Sequence, residues 1–393
     1  MLSRDLDFLR RDTVPTRSTS RTFLCRDATK GAMAAIAFLA ASLIGSWAAH
    51  ANEPRFGINR VNLAWASPDA RRQILDDMAA AGVKIVRLSL TPPVEKSLDA
   101  VRIAHQHGMR ILLEIPLSNK AFYPPGTEKR PGFGRVWDIY RLSDIDPDKF
   151  RPIIRAAFRR IDELGITLDA VQPGNEINWG GYNGDLTVYP KANIRTARSL
   201  SDVKNRPGLE KGADKYVLVT KIVREELEAT QRNRKAKVVS AGLSDMPAEY
   251  ADKRGIERLD SIEFMEILRA RGIDDHIDAY GVHLYPSIGA SPELRRQHIE
   301  AAMSFCAAPE RGKPCWITEW GVANTSNTCP TDDAKREQVV HEIRGVFEEF
   351  MRVGRLSTAL YFDWDSKTPY SVWRCDALTS AGRAAVAPSS TVP

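Results

Sequence analysis

Two apolar stretches of the sequence each end in a glutamate. Residues 171–180, VQPGNEINWG, place Asn175 and Glu176 after an apolar run, and residues 314–323, PCWITEWGVA, place Glu319 after another. Two carboxyl groups at one site suit glycosidic bond cleavage, because one can protonate the leaving oxygen while the other attacks the anomeric carbon. Two such charges at short range raise one of the two pKa values, so that one group can serve as the acid.

This chemistry requires the two stretches to meet, and a repeated pattern along the chain predicts how they do. Eight apolar runs alternate with longer amphipathic segments. Near-continuous apolar runs are typical of strands that are buried on both faces, as in parallel sheets. The eight predicted strands are 55–65, 83–90, 109–117, 168–177, 237–244, 277–286, 314–323 and 357–365.

The segments between these runs have helical patterns. The first of them opens with Ser67 followed by Pro68 and closes with Gly82, as a capped helix does. Eight strand–helix units over about 320 residues predict an α/β fold with one catalytic domain, a (β/α)8 TIM barrel. A doubly wound open sheet is the alternative, but the chain contains neither a G-x-G-x-x-G motif nor a P-loop.

In such a barrel, Glu176 ends the fourth strand and Glu319 ends the seventh, so the two face each other across the mouth. Two long insertions, 118–144 and 178–213, follow the C-terminal ends of the third and fourth strands, where barrel active sites are built. Both insertions carry aromatic residues and glycines, as binding loops do. They predict a substrate cleft above the two glutamates.

These features together resemble glycoside hydrolase clan A, the retaining (β/α)8 enzymes. The resemblance implies that Glu176 is the general acid/base and that Glu319 is the nucleophile. The stretch QPGNEIN resembles the motif of family 53, the endo-β-1,4-galactanases. The stretch ITEWG is closer to families 39 and 5, which include β-xylosidases and cellulases. Many clan members have Asn-Glu-Pro, and Ile177 replaces the proline in this chain.

The resemblance also implies roles for five further residues at strand ends. Asn175 would bond to the sugar 2-hydroxyl. Arg87, in IVRLSL, and Tyr285, in GVHLYP, would orient the nucleophile. His283 would line the site, and Trp364, in YFDWD, would lie under the sugar.

Other side chains near loops or strand ends are candidates for substrate contact. Aromatic rings can stack on sugars, so we expect Trp179 and Trp320 to bind substrate, with core packing as the alternative. Further loop candidates are Trp65, Trp137 and Trp373. Four more acids are expected to solvate the barrel rim rather than bind substrate, namely Glu114, Asp245, Asp363 and Asp365.

The N-terminus has the features of an export signal. Residues 32–49 are apolar, and AHA at residues 49–51 fits a small-x-small cleavage site. We therefore expect a signal peptide over 1–51, cleaved near Ala51, a hydrolase domain over 52–382 and a disordered tail over 383–393. An uncleaved membrane anchor is the alternative, because the apolar stretch is just long enough to span a bilayer.

The cysteines agree with export to the periplasm or the medium. Four remain after Cys25 leaves with the signal, an even number that suits an oxidising compartment. Of the three possible pairings, Cys306–Cys315 with Cys329–Cys375 is the local one. A metal site is the alternative, but the spacings contain no C-x-x-C pair.

The charges are interspersed over the 393 residues and sum to +6, which indicates no nucleic-acid partner. We expect a monomer that has no membrane span after signal cleavage, and that binds carbohydrate without a metal or cofactor. The expected reaction is double-displacement hydrolysis of a β-linked polysaccharide or oligosaccharide, with endo action. The alternatives are an exo-acting β-glycosidase, a non-catalytic carbohydrate-binding barrel and a metal-dependent barrel hydrolase.

Overall fold

A computed structural model describes residues 55–132, 137–188, 196–197 and 199–388. Eight parallel strands form its centre and confirm the predicted (β/α)8 barrel. The strands are β1 Phe56–Asn59, β2 Ile85–Ser89, β3 Arg110–Ile115, β4 Ala170–Pro173, β5 in two segments Lys237–Val238 and Leu243–Ser244, β6 Tyr280–Leu284, β7 Cys315–Trp320 and β8 Leu356–Tyr361.

The barrel closes through the two segments of β5. Lys237–Val238 pairs with β4, whereas Leu243–Ser244 pairs with β6, so one predicted strand joins both edges of the sheet. On the other side, β1 pairs with β2 and β8. The ends of β4 and β7 therefore lie on opposite sides of one mouth.

Helices follow most of the strands, and most of these helices bury one face against the barrel. The described residues contain nine α-helices, namely α1 Pro68–Ala80, α2 Val94–Gln106, α3 Pro147–Glu163, α4 Arg206–Glu228, α5 Ala248–Arg254, α6 Ser261–Arg269, α7 Pro292–Ala302, α8 Ala334–Arg352 and α9 Ser380–Val386. The predicted cap of α1 is present, because Ser67 Oγ accepts a hydrogen bond from the Ala70 amide over 3.2 Å. Within the described residues, no helix is long and apolar enough to cross a membrane.

The barrel interior changes from apolar to polar towards the mouth. Its floor is a buried cluster of Ile85, Leu112, Ala170, Val239, Ala279, Trp316 and Leu360. Because side chains alternate along a strand, Arg87 and Ser89 of β2 point to the same side as Ile85. Arg87 is fully buried above the floor, and Ser89 lies at the cavity. The same alternation places Gln172 of β4 above Ala170, so polar residues at inward positions form the base of the site.

Several predicted boundaries are corrected by the structure, including that of the first strand, which ends at Asn59 rather than at residue 65. The second insertion does not extend to residue 213, because α4 begins at Arg206. The eighth strand ends at Tyr361, before the predicted 365. The disordered tail predicted from residue 383 is wrong up to Val386, because α9 continues to that residue and buries its apolar face. The apolar segment at 32–49 and the residues after 388 lie outside the described residues.

Two disulfides have the local pairing. Cys306 and Cys315 have Cα atoms 5.4 Å apart, and this bond ties the end of the α7 segment to the start of β7. Cys329 and Cys375, with Cα atoms 5.8 Å apart, join the loop after β7 to the segment after β8. Both bonds confirm the expectation of disulfides.

Candidate active site

A tight turn after β4 presents Asn175 and Glu176 to the mouth. Gly174 has φ 82° and Glu176 has φ 41°, a value that residues other than glycine rarely adopt. The Glu176 amide donates to the Gly242 carbonyl over 3.0 Å, which fixes the turn against β5. A strained backbone at a site residue is typical of functional positions whose surroundings hold them in place.

A local irregularity in β7 gives Glu319 its direction. The pairing of β7 with β6 shifts in register between Ile317 and Glu319. A bulge of this kind re-aims side chains. Thr318 consequently reaches the polar residues inside the barrel while Glu319 lines the cavity, although the two are adjacent in the chain.

Arg87 links the two halves of the site. Its guanidinium donates to Glu319 Oε1 over 2.5 Å, to Asn175 Oδ1 over 2.8 Å, to Gln172 Oε1 over 2.9 Å and to Asn59 Oδ1 over 3.1 Å. Arg87 is fully buried, so a rigid, hydrogen-bonded cation is fixed below the two strand ends. This arrangement suits the arginine fork, which presents several donors in a fixed geometry.

His283 lies under both glutamates. Its Nδ1 is 3.1 Å from Glu176 Oε1 and 3.6 Å from Glu319 Oε2. Its Nε2 is 3.0 Å from the Thr318 hydroxyl, which also accepts a hydrogen bond from Gln172 Nε2 over 3.0 Å. The tautomer of His283 and the protonation of Glu176 together decide which group donates in the contact between them.

Glu319 is held in its charged form by its neighbours. Burial by itself raises the pKa of this carboxyl, but the charges of His283 and Arg87 and the hydrogen bonds from Tyr285 and Arg87 lower it below the usual value. The Tyr285 hydroxyl donates to Glu319 Oε2 over 2.6 Å. Burial and the charge of Glu319 raise the pKa of Tyr285 far above its usual value, so Tyr285 keeps the proton that it donates.

Glu176 has a different environment. Its Oε2 accepts a hydrogen bond from the Trp179 indole over 2.8 Å, while its Oε1 lies beside His283. No arginine or lysine forms an ion pair with Glu176 among the described residues. An oxygen of Glu176 lies within 4.8 Å of an oxygen of Glu319. The site therefore pairs Glu319, whose carboxylate bonds to the Arg87 guanidinium, with Glu176, whose ionisable partner is His283 rather than an arginine or lysine.

Glu176, His283 and Glu319 could in principle offer three ligand atoms to a metal ion, because these atoms lie within 4.8 Å of one another. However, both oxygens of Glu319 already accept hydrogen bonds, from Arg87 and Tyr285. The guanidinium charge also repels a cation at this distance. The donor set therefore fits a pair of catalytic carboxyl groups better than a metal centre.

The two glutamates lie in a cavity of about 960 Å³ at the mouth of the barrel. Asn175, Arg87 and Tyr285 also line it. Two indoles at the cavity are open to solvent, since Trp65 is 68% exposed and Trp137 is 49% exposed. The other aromatic residues of the lining are Tyr182, Tyr250, Phe362 and Tyr370.

Three tryptophans that were expected to touch substrate do not face the cavity. The predictions for Trp364 and Trp320 are wrong, because both are fully buried. Trp364 stacks on Trp373 with ring centroids 5.0 Å apart, and Trp320 packs against Phe347 of α8. Trp179 is also buried, and it contacts Glu176 rather than open space. The strand ends before Trp364, so Phe362 is the residue of this segment that lines the cavity.

The four acids expected at the rim have different environments. Glu114 is buried and lines the central cavity, so its assignment to the rim is wrong. Asp363 is also buried, and it accepts a hydrogen bond from Ser371 over 2.6 Å. Asp245 lines the cavity and pairs with His298, while Asp365 pairs with Arg60.

Sequence reasoning missed the residues that support the site from below, Asn59, Gln172 and Thr318. Each is a polar residue inside an apolar strand, and this pattern is a usable signal, because a polar group buried on a strand must find a partner. The contact partners themselves belong to other strands and could not be read from one stretch.

Residues 219–384 match the family model described as "Glycosyl hydrolase catalytic core". The chain is a glycoside hydrolase. The match spans β5 to β8, including Tyr285 and Glu319, and it confirms the predicted resemblance and enzyme class. Glu176 lies outside the matched range. No curated protein matches the sequence of this hydrolase.

Solved structures agree with the fold of the hydrolase. One is a fungal β-1,4-galactanase, with 12% identity, coverage of 84% of this chain and 93% of the other, and a TM-score of 0.50. Another is an intracellular xylanase from Thermoanaerobacterium saccharolyticum in complex with xylotriose, with 13% identity, coverage of 85% and 95%, and a TM-score of 0.50. At this level of identity the similarity supports the barrel fold and gives no evidence about the substrate.

Proposed function

We propose that the hydrolase is a retaining β-glycosidase that cleaves a β-linked polysaccharide or oligosaccharide. The observation that carries this proposal is the pair Glu176 and Glu319, whose oxygens approach within 4.8 Å in the central cavity. Retaining enzymes place their two carboxyl groups roughly 5–5.5 Å apart, whereas inverting enzymes leave roughly 6.5–9.5 Å for a water molecule. The short separation supports a covalent double displacement.

In the first step, an oxygen of Glu319 forms a bond to the anomeric carbon while the bond from that carbon to the glycosidic oxygen breaks. Glu176 donates its proton to the leaving oxygen. In the second step, Glu176 takes a proton from a water molecule, the water oxygen bonds to the anomeric carbon, and the Glu319 ester bond breaks. Both glutamates return to their starting states.

The surrounding residues support this division of roles. Arg87 and Tyr285 stabilise the negative charge that Glu319 needs as a nucleophile. Asn175 accepts from Arg87 through its amide oxygen, so its NH₂ group remains available to donate to the sugar 2-hydroxyl. His283 lies beside both carboxyl groups and fixes their relative positions.

Endo action is supported by the shape of the cavity. A second cavity of about 390 Å³ shares Val61, Asn62, Trp65 and Ser366 with the central one, so the binding surface continues past the reactive carboxyl groups. Trp65 is exposed on that side. Trp137 contacts the ring of Trp179, which bonds to Glu176, and thus lies on the side of the acid that would face the leaving group. Sugar rings on both sides of the cleaved bond are what an endo enzyme requires.

We also propose that the hydrolase acts outside the cytoplasm. Two disulfides suit an oxidising compartment, and the segment at 32–51 has the sequence pattern of a cleaved signal. The N-terminal residue of the mature protein, determined by sequencing of secreted material, is expected near Asn52. Recovery of the intact apolar segment from a membrane fraction would instead support the anchor.

The decisive test is hydrolysis of β-glucan, galactan, xylan and mannan. The wild type should release reducing ends from one of them, and Glu176→Gln and Glu319→Gln should each lose at least ~10²-fold in rate. Glu163→Gln on the exposed end of α3 is the matched control and should retain full rate.

Two readouts of the same assay separate the remaining possibilities. A fall in viscosity before many reducing ends appear indicates endo cleavage, whereas steady release of small sugars at high viscosity indicates an exo enzyme. Binding of a glycan without hydrolysis by the wild type would support a non-catalytic barrel.

A further inference from the structure

Ser89 and Glu114 form a second polar pair in the wall of the central cavity. They are register partners at the ends of β2 and β3. Ser89 is 5% exposed and Glu114 is 4% exposed, and both line the cavity. Ser89 follows Arg87 by two residues on the same strand, so it faces the same side about 7 Å nearer the mouth.

The hydrogen-bonding capacity of this pair is largely unused. Ser89 Oγ is buried and makes no hydrogen bond of normal geometry within the described residues. It nevertheless lies near enough to the Glu114 carboxyl to lower the pKa of that group. Glu114 forms no ion pair with any residue that the structure describes. A buried polar group without a partner destabilises a protein, and such groups usually have a partner in the working state of the protein.

Charge and burial determine what Glu114 can bind. Burial raises the pKa of this carboxyl, and the charge of Glu319 adds to the effect, while Arg87, Ser89 and His283 only partly oppose it. Its protonated form is thereby favoured. A protonated carboxyl donates one hydrogen bond and accepts another, as a sugar hydroxyl also does.

Resting on the proposed function, we propose that Glu114 and Ser89 together bind one hydroxyl group of the sugar ring that Glu319 attacks. This hydroxyl differs from the 2-hydroxyl, which Asn175 would bind from the end of β4. The pair lies on β2 and β3, beside Arg87 and within the electrostatic influence of Glu319, so it faces the same ring from another side. It would select the glycone by the position and configuration of that hydroxyl.

The test compares the loss from a missing hydroxyl in wild type and variants. The probe is the aryl β-glycoside that the wild type hydrolyses best, together with its 3-, 4- and 6-deoxy analogues. In the wild type, one analogue should lose ~10–100-fold in kcat/KM, because it leaves the buried Glu114 and Ser89 without the hydroxyl as a hydrogen-bond partner. In Glu114→Ala, the same analogue should lose less than ~3-fold relative to the parent glycoside, because the partner of the hydroxyl is gone.

Further variants keep the result interpretable. Ser89→Ala should reduce the loss for the same analogue, and Glu114→Gln, which retains the volume and one donor, should give a value between wild type and Glu114→Ala. If Glu114→Ala does not fold, judged by its circular dichroism and thermal unfolding, Glu114→Gln and Ser89→Ala decide the question. Glu163→Gln is the control and should show the wild-type pattern.

The outcomes separate this inference from the proposed function. If wild type and all variants show the same loss for every analogue, Glu114 and Ser89 do not contact the sugar, and the glycosidase proposal stands. If the wild type hydrolyses no β-glycoside and no β-glycan, the proposed function fails, and this inference fails with it.

Discussion

Tyr285 and Glu319 lie at the ends of neighbouring strands, and the phenol donates to Glu319 Oε2 over 2.6 Å. The other carboxylate oxygen accepts from Arg87 over 2.5 Å. Both bonds are made to the charged form, and bonds of this kind favour that form. They explain why the pKa of Glu319 is lowered although the group is buried.

The first prediction is that activity persists below the usual titration range of a glutamate. A lowered pKa keeps Glu319 charged as the pH falls, so the acidic limb of kcat/KM should lie below about pH 4.3, the ordinary glutamate value. A pH–rate profile of the wild type measures this limb. An acidic limb near pH 6 would contradict the assignment of Glu319 as the charged nucleophile.

The second prediction uses Tyr285→Phe to move that limb. Loss of the hydroxyl removes a hydrogen bond to the charged carboxylate, which raises the pKa of Glu319 and shifts the acidic limb to higher pH by about one unit. Tyr280→Phe on the same strand is the control, because its hydroxyl donates to Asp274 outside the site. An unchanged limb in Tyr285→Phe would mean that the bond does not govern the titration.

The third prediction concerns the space that β5 leaves for His283. A Cβ atom at Gly242 would lie 2.1 Å from the imidazole and 2.7 Å from Thr318 Oγ1, so Gly242→Ala must displace the ring from both glutamates. We expect a loss of at least ~10²-fold in kcat, the effect of misplacing catalytic groups by about 1 Å. Gly345→Ala in the middle of α8 meets no atom within 4 Å, and should retain kcat and gain about 0.5–1 kcal/mol in the free energy of unfolding.

The fourth prediction concerns Cys329–Cys375. This bond spans 46 residues, so its removal in the Cys329→Ala/Cys375→Ala variant should lower the free energy of unfolding by about 4 kcal/mol on the chain-entropy model. Both cysteines are exposed, and little packing is lost in the variant. Urea unfolding of variant and wild type under non-reducing conditions gives the difference. A change below about 0.5 kcal/mol would mean that the cross-link does not constrain the unfolded chain.

The sequence predicted the barrel because eight buried runs and their intervening amphipathic segments are local patterns. It also indicated Glu176 and Glu319, since an acid after a buried strand is visible in one stretch. Trp364 and Trp320 were misassigned because the direction of a side chain near a strand end depends on bulges and on where the strand stops. The burial of Glu114 was missed for a related reason, because its surroundings come from β2, β3 and β7 together.

The last prediction distinguishes the roles of the two glutamates. In Glu176→Ala, the nucleophile remains, so substrates with good leaving groups should still glycosylate Glu319, and the intermediate should accumulate because no base activates water. Added azide needs no base, and it should restore turnover and yield the β-glycosyl azide. In Glu319→Ala, azide can occupy the vacated space and attack the substrate directly, which inverts the anomeric carbon and yields the α-glycosyl azide.

The anomeric configuration of each azide product can be read by NMR. Two wild-type features support the expected result, namely the bonds from Arg87 and Tyr285 to Glu319 and the absence of an arginine or lysine partner for Glu176 within the described chain. If the two products were exchanged between the variants, the roles of Glu176 after β4 and Glu319 on β7 would be reversed. Full activity in both variants without azide would leave the barrel fold intact but would remove the catalytic pair, because retention requires a carboxylate roughly 5 Å from the acid.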